Sequence, residues 1–255
     1  MTTAIGILHL VLGTVYFQYG SMTLVDMRRQ WSANGFSHFG GAWIAMAFTC
    51  GPHHFAHGLH LLTSGVSAGP LDLVVVLVGF PAGVVWFLLR VEAFRGGRGD
   101  RFIAGTPLWV LALPAVGASY ATAIIMMVLT AGTARWANLA AVTPNILLIA
   151  IYGMIGYYLA RTQIANRRPL GGFSVSGLAL AVIFPTCALM HAVYAYYSLT
   201  GRYGVVAHTT TIDWLAVPAG VYFLWVVQAL YRGSYRDWNS ARGMRSVTAV
   251  SPSTS

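Results

Sequence analysis

Two copies of one short pattern, Cys-x3-His, contain the side chains of this chain that are best suited to chemistry. Cys50 precedes His54, and Cys187 precedes His191. Residues four positions apart on an α-helix lie about 40° apart around its axis, so each pair shares one helix face. If the two faces meet, two thiols and two imidazoles converge. That set is suited to a tetrahedral Zn²⁺ ion or to a thiophilic copper ion.

The two histidines of the pattern also permit a different cofactor. His54 and His191 lie on two separate apolar segments, and one imidazole from each of two helices is the axial ligand pair of an electron-transfer haem. The sequence therefore predicts either a bound transition metal, copper or zinc, or a haem b. In both versions the site lies between the second and the sixth apolar segment of the chain.

Further ionisable side chains surround the first copy of the pattern. His57 lies on the same helical arc as Cys50 and His54, and we expect it to be a further metal ligand. Ionisable groups inside a membrane are costly and usually face a cavity or the bundle interior. On the second copy, Met190 and Tyr197 occupy the matching arc and are expected to be packing residues. The remaining predicted accessory residues are His9, His53, His60, His208, Asp72, Asp213 and Tyr194.

Composition indicates that lipid, rather than water, surrounds most of this chain. Its 255 residues are 57% hydrophobic and only 8% charged, whereas soluble domains carry about 25% charged residues. The net charge of +9 comes from arginines, since the chain contains no lysine. These arginines lie in loops, which favours contact with lipid head groups over binding to nucleic acid. We expect the partners to be the lipid bilayer and a small molecule or metal ion.

Seven apolar segments of spanning length predict an all-α polytopic membrane protein with seven transmembrane helices. Thirteen of the 15 arginines lie in the loops after the first, third and fifth segments, at the end of the third segment and in the C-terminal tail. Positively charged loops stay in the cytoplasm, so the N-terminus is predicted outside and the C-terminus inside a bacterial cytoplasmic (inner) membrane. The segments are approximately 4–24, 41–63, 72–91, 108–132, 138–160, 174–199 and 213–231.

An offset of 137 residues aligns the chain with itself. It gives 17 identical pairs without a gap over residues 35–100, including both cysteines, His54 with His191, and Gly83 with Gly220. Two three-helix units joined by one linker helix, a 3+1+3 parallel repeat, explain this pattern. The arrangement resembles that of SWEET-type sugar transporters and microbial rhodopsins, although the missing lysine excludes a retinal Schiff base. The predicted divisions are 1–107, 108–137, 138–240 and a disordered cytoplasmic tail, 241–255.

Three functions remain open at this level. The first is a redox or metal-handling protein that binds a metal or haem at the duplicated site. The second is a transporter of a small solute or metal ion, with alternating access between the two units. The third is a metal-dependent membrane enzyme that uses a metal-activated water. The sequence leaves open whether a membrane-protein partner or a second copy of the chain is bound.

Overall fold

The chain folds almost entirely into α-helices. The structure, a computed structural model, describes residues 1–105, 113–131, 136–200 and 207–233, and it is 84% helical. Two short strands, β1 Phe102–Ile103 and β2 Phe173–Ser174, pair antiparallel. The helices are α1 Thr2–Asn34, α2 His38–Thr63, α3 Pro70–Phe94, α4 Leu113–Ala131, α5 Trp136–Asn166, α6 Val175–Leu199 and α7 Ala207–Tyr231.

Helices α2 and α6 begin with the same local signal. The hydroxyl of Ser37 accepts a hydrogen bond from the Gly40 amide at 2.9 Å, and the hydroxyl of Ser174 accepts one from the Gly177 amide at 2.9 Å. Each serine thereby satisfies one of the amides that a helix start leaves unpaired. Helix α1 is followed by Gly35 as its C-terminal cap. Glycine adopts the φ of 68° found there easily because it has no Cβ atom.

Helix α6 forms the centre of the bundle. It packs against α3, α4 and α5, and 94% of its most apolar stretch is buried. Within each half of the chain, the first helix packs on the other two: α1 packs on α2 and α3, and α5 packs on α6 and α7. Between the halves, α2 packs on α7 and α3 packs on α6. The interface of the two halves is therefore made by the second and third helix of each.

The C-terminal ends of α1, α3, α5 and α7 lie at one end of the bundle, which we call the arginine end. Arg90 of α3 donates to Asp26 of α1 at 2.5 Å. The carboxylate of Asp100 accepts hydrogen bonds from the hydroxyls of Ser174 and Ser176, which ties the loop after α3 to the start of α6. The described arginines of this end are Arg28, Arg29, Arg90, Arg95, Arg98, Arg101, Arg161, Arg167, Arg168 and Arg232.

The structure confirms the prediction of an all-α protein, and within the described residues each predicted apolar segment overlaps one helix. Within the described residues, four stretches are long and apolar enough to cross a membrane. The number of spans, their orientation and the internal repeat stay predictions. The predicted tail, 241–255, lies outside the described residues. The four stretches are Pro70–Phe94, Val142–Asn166, Val175–Leu199 and Thr211–Tyr231.

Glycines allow the backbones of α1 and α2 to approach closely, and this contact can be tested. A Cβ atom at Gly58 would lie 2.7 Å from the carbonyl oxygen of Gly6, so Gly58→Ala must push the two helices apart. We expect a loss of about 1–3 kcal/mol, seen as a lower unfolding temperature in detergent. The matched control is Gly117→Ala in α4, where a Cβ atom meets nothing within 4 Å. Equal effects of the two substitutions would contradict the close packing.

Candidate metal centre

A chain of hydrogen bonds connects four polar side chains inside the bundle. His53 of α2 donates from Nδ1 to Oδ1 of Asp213 in α7 at 2.6 Å. Asn145 of α5 donates from Nδ2 to the other carboxylate oxygen of Asp213 at 2.8 Å. The side-chain carbonyl of Asn145 accepts from Nδ1 of His191 in α6 at 2.6 Å. None of the four residues exposes more than 2% of its surface, so four helices meet at a polar centre shielded from solvent.

The carboxylate of Asp213 determines where both imidazoles carry their protons. An ionised carboxylate only accepts hydrogen bonds, so His53 places a proton on Nδ1, and Asn145 turns its amide nitrogen toward Asp213. The carbonyl of Asn145 then faces His191, which must also carry a proton on Nδ1. In a neutral imidazole the other nitrogen, Nε2, keeps its lone pair. His191 is held as metal-binding histidines commonly are, with one nitrogen anchored and the other free for the metal. A metal ion shared by His53 and Asp213 would instead take the place of the proton between Nδ1 of His53 and the carboxylate.

His53, His191 and Asp213 each offer one ligand atom, and the three atoms lie within 4.8 Å of one another. Among the side chains that the structure describes, no other group of three or more potential ligands lies so close together. Two imidazoles and one carboxylate form a ligand set of zinc enzymes and of non-haem iron proteins. The geometry can hold a divalent transition metal and leave at least one coordination position open.

The site lies inside the bundle, toward the end opposite the arginine end. His53 is ten residues before the end of α2, and Asp213 is six residues after the start of α7. At 1.5 Å per residue, these positions are about 15 Å and about 9 Å below that end. A proline directly precedes His53 and another precedes Asn145. Proline removes one backbone hydrogen bond and bends a helix, which changes the direction of the side chains that follow.

A second pair of imidazoles lies on another side of α2. Nδ1 of His54 is 2.9 Å from Nδ1 of His9 in α1. One of these nitrogens carries a proton and donates a hydrogen bond, and the other accepts that hydrogen bond. His53 and His54 differ in partner because successive residues of a helix point about 100° apart. Helix α2 lies between α7 and α1, so His53 faces the acid of α7 while His54 faces the imidazole of α1.

The structure corrects the predicted four-ligand site. Cys50 Sγ lies 3.3 Å from the Tyr152 hydroxyl of α5, and Cys187 lies within hydrogen-bonding reach of the Tyr16 hydroxyl of α1. The first and fifth helices pack along α2 and α6 and supply partners to the cysteines and histidines there. The four predicted ligands therefore do not form one ligand group. They are Cys50, His54, Cys187 and His191.

The other predicted residues lie around the two imidazole groups. Nε2 of His57 is 3.9 Å from Oδ1 of Asp72 in α3, and its ring centroid lies 5.9 Å from that of Tyr194. His60 is half-buried, one turn further along α2. The side chain of His208 lies outside the described residues. His57 is thus a neighbour of the three-ligand group instead of the direct ligand that the sequence predicted.

The space beside the predicted haem ligand is too small for a haem. The cavity next to His54 has a volume of about 10 Å³, which is roughly the space needed by one water molecule. Sites for organic cofactors measure about 300–1,000 Å³. Helices α3 and α6 close the cavity with small and branched side chains. This packing leaves no room for a porphyrin in the cavity beside His54.

The sequence patterns did not indicate Asn145, and they placed Asp213 and His53 among the accessory residues. Asn145 is completely buried in an apolar stretch of α5. A buried amide in such a stretch needs a hydrogen-bond partner, and this is the signal that could have identified it. The importance of Asp213 could not be read in the same way, because its partners lie 68 and 160 positions away in the sequence.

Comparison with known proteins assigns no family to this chain. No family model, no curated protein and no solved structure matches it. The chemistry of the buried residues is therefore the basis for inferring a function.

The hydrogen-bond chain predicts that Asp213 stabilises the fold even without a metal. Asp213→Ala leaves two buried donors, on His53 and Asn145, without an acceptor, and each costs about 1–3 kcal/mol. We expect a clearly lower unfolding temperature in detergent with a chelator present. Asp213→Asn is the matched control, since it keeps the shape and can bond both neighbours once one imidazole changes tautomer. Unchanged stability of Asp213→Ala would contradict the hydrogen-bond chain.

Proposed function

We propose that this chain is an integral membrane protein of seven transmembrane helices that binds a divalent transition metal ion at His53, His191 and Asp213. The single observation that carries the proposal is the proximity of these three ligand atoms, within 4.8 Å, in a buried place. The imidazoles supply nitrogen ligands, and the carboxylate supplies the negative charge. Zinc and copper match this set of ligands.

Charge balance supports a cation at this place. The carboxylate of Asp213 has no exposed surface, and an isolated ionised group in a medium without water is very costly. A proton on His53 can neutralise the carboxylate, and a metal ion at the same place can do so as well. Because metal binding needs unprotonated imidazole nitrogens, protons compete with the metal, and the affinity must fall as the pH is lowered.

The outer surface of the bundle supports the membrane location. Large apolar side chains point outward on several helices, among them Leu77 at 62%, Leu129 at 69% and Leu215 at 61% exposure. In water such a surface invites aggregation, whereas lipid tails cover it without cost. The four apolar stretches and the concentration of arginines at one end are consistent with helices that cross a bilayer.

The proposed 3+1+3 repeat receives support from matching contacts. Gly83 of α3 packs on Leu12 of α1, and Gly220 of α7 packs on Ile151 of α5. In addition, Cys50 of α2 meets a tyrosine of α5, and Cys187 of α6 meets a tyrosine of α1. An exchange of halves relates these contacts helix by helix, although the two tyrosines do not occupy equivalent positions in the alignment. This is the pattern expected of two related units around an axis along the membrane normal.

One observation favours metal transport as a second candidate. The three proposed ligands come from both halves, with His53 in the first and His191 and Asp213 in the second. Substrate sites of transporters with repeats lie at such an interface. A cavity of about 770 Å³ at the arginine end, lined by Arg90, Arg98 and other residues, reaches into the same bundle from the other side. The membrane-enzyme hypothesis stays a prediction.

The metal site is tested with the purified protein in detergent, stripped with a chelator and titrated with Co²⁺ under a visible spectrometer. His191→Asn removes Nε2 but keeps an N–H that can reach Asn145. We expect it to weaken Co²⁺ binding about 10–100-fold. The control is His38→Asn at the arginine end, where the imidazole bonds to the Tyr222 hydroxyl at 2.9 Å. Absence of Co²⁺ binding, or an equal loss in the control, would overturn the proposed function.

The predicted orientation is tested with reporters fused to the C-terminus of the full chain. Green fluorescent protein folds only in the cytoplasm, and alkaline phosphatase is active only outside it. With the arginine end inside, as the positive-inside rule requires, the first fusion is fluorescent and the second inactive. The reverse pattern contradicts the N-out, C-in orientation, and activity of both reporters contradicts a single defined topology.

A further inference from the structure

A small cavity near the middle of the bundle is lined by three side chains that soft metal ions prefer. They are the imidazole of His54, the thiol of Cys187 and the thioether of Met190. The cavity has a volume of about 10 Å³, enough for one small ion or one water. His53, His191 and Asp213 do not line it, so it is separate from the site of the proposed function.

His54 is buried, with 2% of its surface exposed. Its Nδ1 is paired with His9, and its Nε2 is buried without a hydrogen-bond partner among the described residues. When His54 donates from Nδ1 to His9, its Nε2 carries a lone pair. A buried imidazole nitrogen without a partner is costly, and coordination of a cation removes that cost.

We propose that His54, Cys187 and Met190 form a binding site for a monovalent soft cation, Cu(I). Thiolate and thioether sulfur select Cu(I) over harder ions, and imidazole completes a trigonal ligand set. This assignment revises the expectation that Met190 only packs. It also uses one of the two duplicated cysteines and not the other, since Cys187 lines the cavity and Cys50 does not.

Charge explains why a monovalent ion fits this place. Cys187 lies twelve residues from either end of α6, about 18 Å of helix, so the cavity is far from water. On binding, the S–H bond of Cys187 breaks, a sulfur–copper bond forms, and the proton leaves to the solvent. No electron is transferred. The thiolate and Cu(I) together are neutral, which a low-dielectric interior favours.

The site is tested by anaerobic titration of the purified protein with Cu(I) buffered by bicinchoninate, a coloured competitor. We expect one Cu(I) per chain, with an ultraviolet sulfur-to-copper charge-transfer band. Cys187→Ala should abolish this binding. Met190→Leu, a substitution of similar volume that cores tolerate, should weaken it at least about tenfold. The matched controls are Cys50→Ala and Met46→Leu, the latter at a buried methionine away from the cavity.

The Cu(I) titrations of the variants either support or overturn the proposed site. Loss of Cu(I) in Cys187→Ala and Met190→Leu with retention in both controls supports the site, provided that the unfolding temperatures of the variants stay close together. Equal loss in Cys50→Ala overturns it in favour of a shared two-cysteine site. Binding that survives Met190→Leu and Cys187→Ala, or no binding at all, also overturns it. The same titration on His191→Asn separates the two metal sites, because Cu(I) binding must remain there when Co²⁺ binding is weakened.

Discussion

The buried carboxylate of Asp213 constrains how four helices of this bundle pack. It has no access to solvent, and a charge in such a place persists only with partners on every side. Helix α2 provides one donor and α5 another. Helix α6 joins the same system through the asparagine of α5. Four helices must therefore come within hydrogen-bonding distance at one level of the bundle, and the proposed metal site depends on that requirement.

The two neighbouring histidines of α2 illustrate how packing divides one sequence motif between two environments. His53 faces a carboxylate, so a cation there is attracted by a fixed negative charge. His54 faces neutral groups, and the negative charge appears only when a thiol loses its proton. Imidazole nitrogen and carboxylate oxygen suit a divalent ion in the first environment, whereas thiolate and thioether sulfur select Cu(I) in the second.

Under the proposed repeat, the helix contacts of the two halves correspond more closely than the side chains of the candidate metal site. Under the proposed repeat, His53 corresponds to Met190 and Asp213 corresponds to Val76. Several small residues at helix contacts, such as Gly83 and Gly220, are kept in both halves, whereas His53 and Asp213 have no ionisable counterpart in the other half. A duplicated frame can carry one asymmetric site, because helix packing depends on small residues at contacts and ligand chemistry depends on a few side chains elsewhere.

Composition and periodicity alone determined that this protein is helical and apolar, since those properties depend on residues near one another in the chain. They also identified the histidine-rich face of α2 and both cysteines. Only the tertiary structure decided which of these groups meet. A helix face covers a wide arc, and a neighbour about 100° away selects a different residue. The pairing of His53 with Asp213, and of each cysteine with a tyrosine, depends on how α1, α5 and α7 pack around α2 and α6.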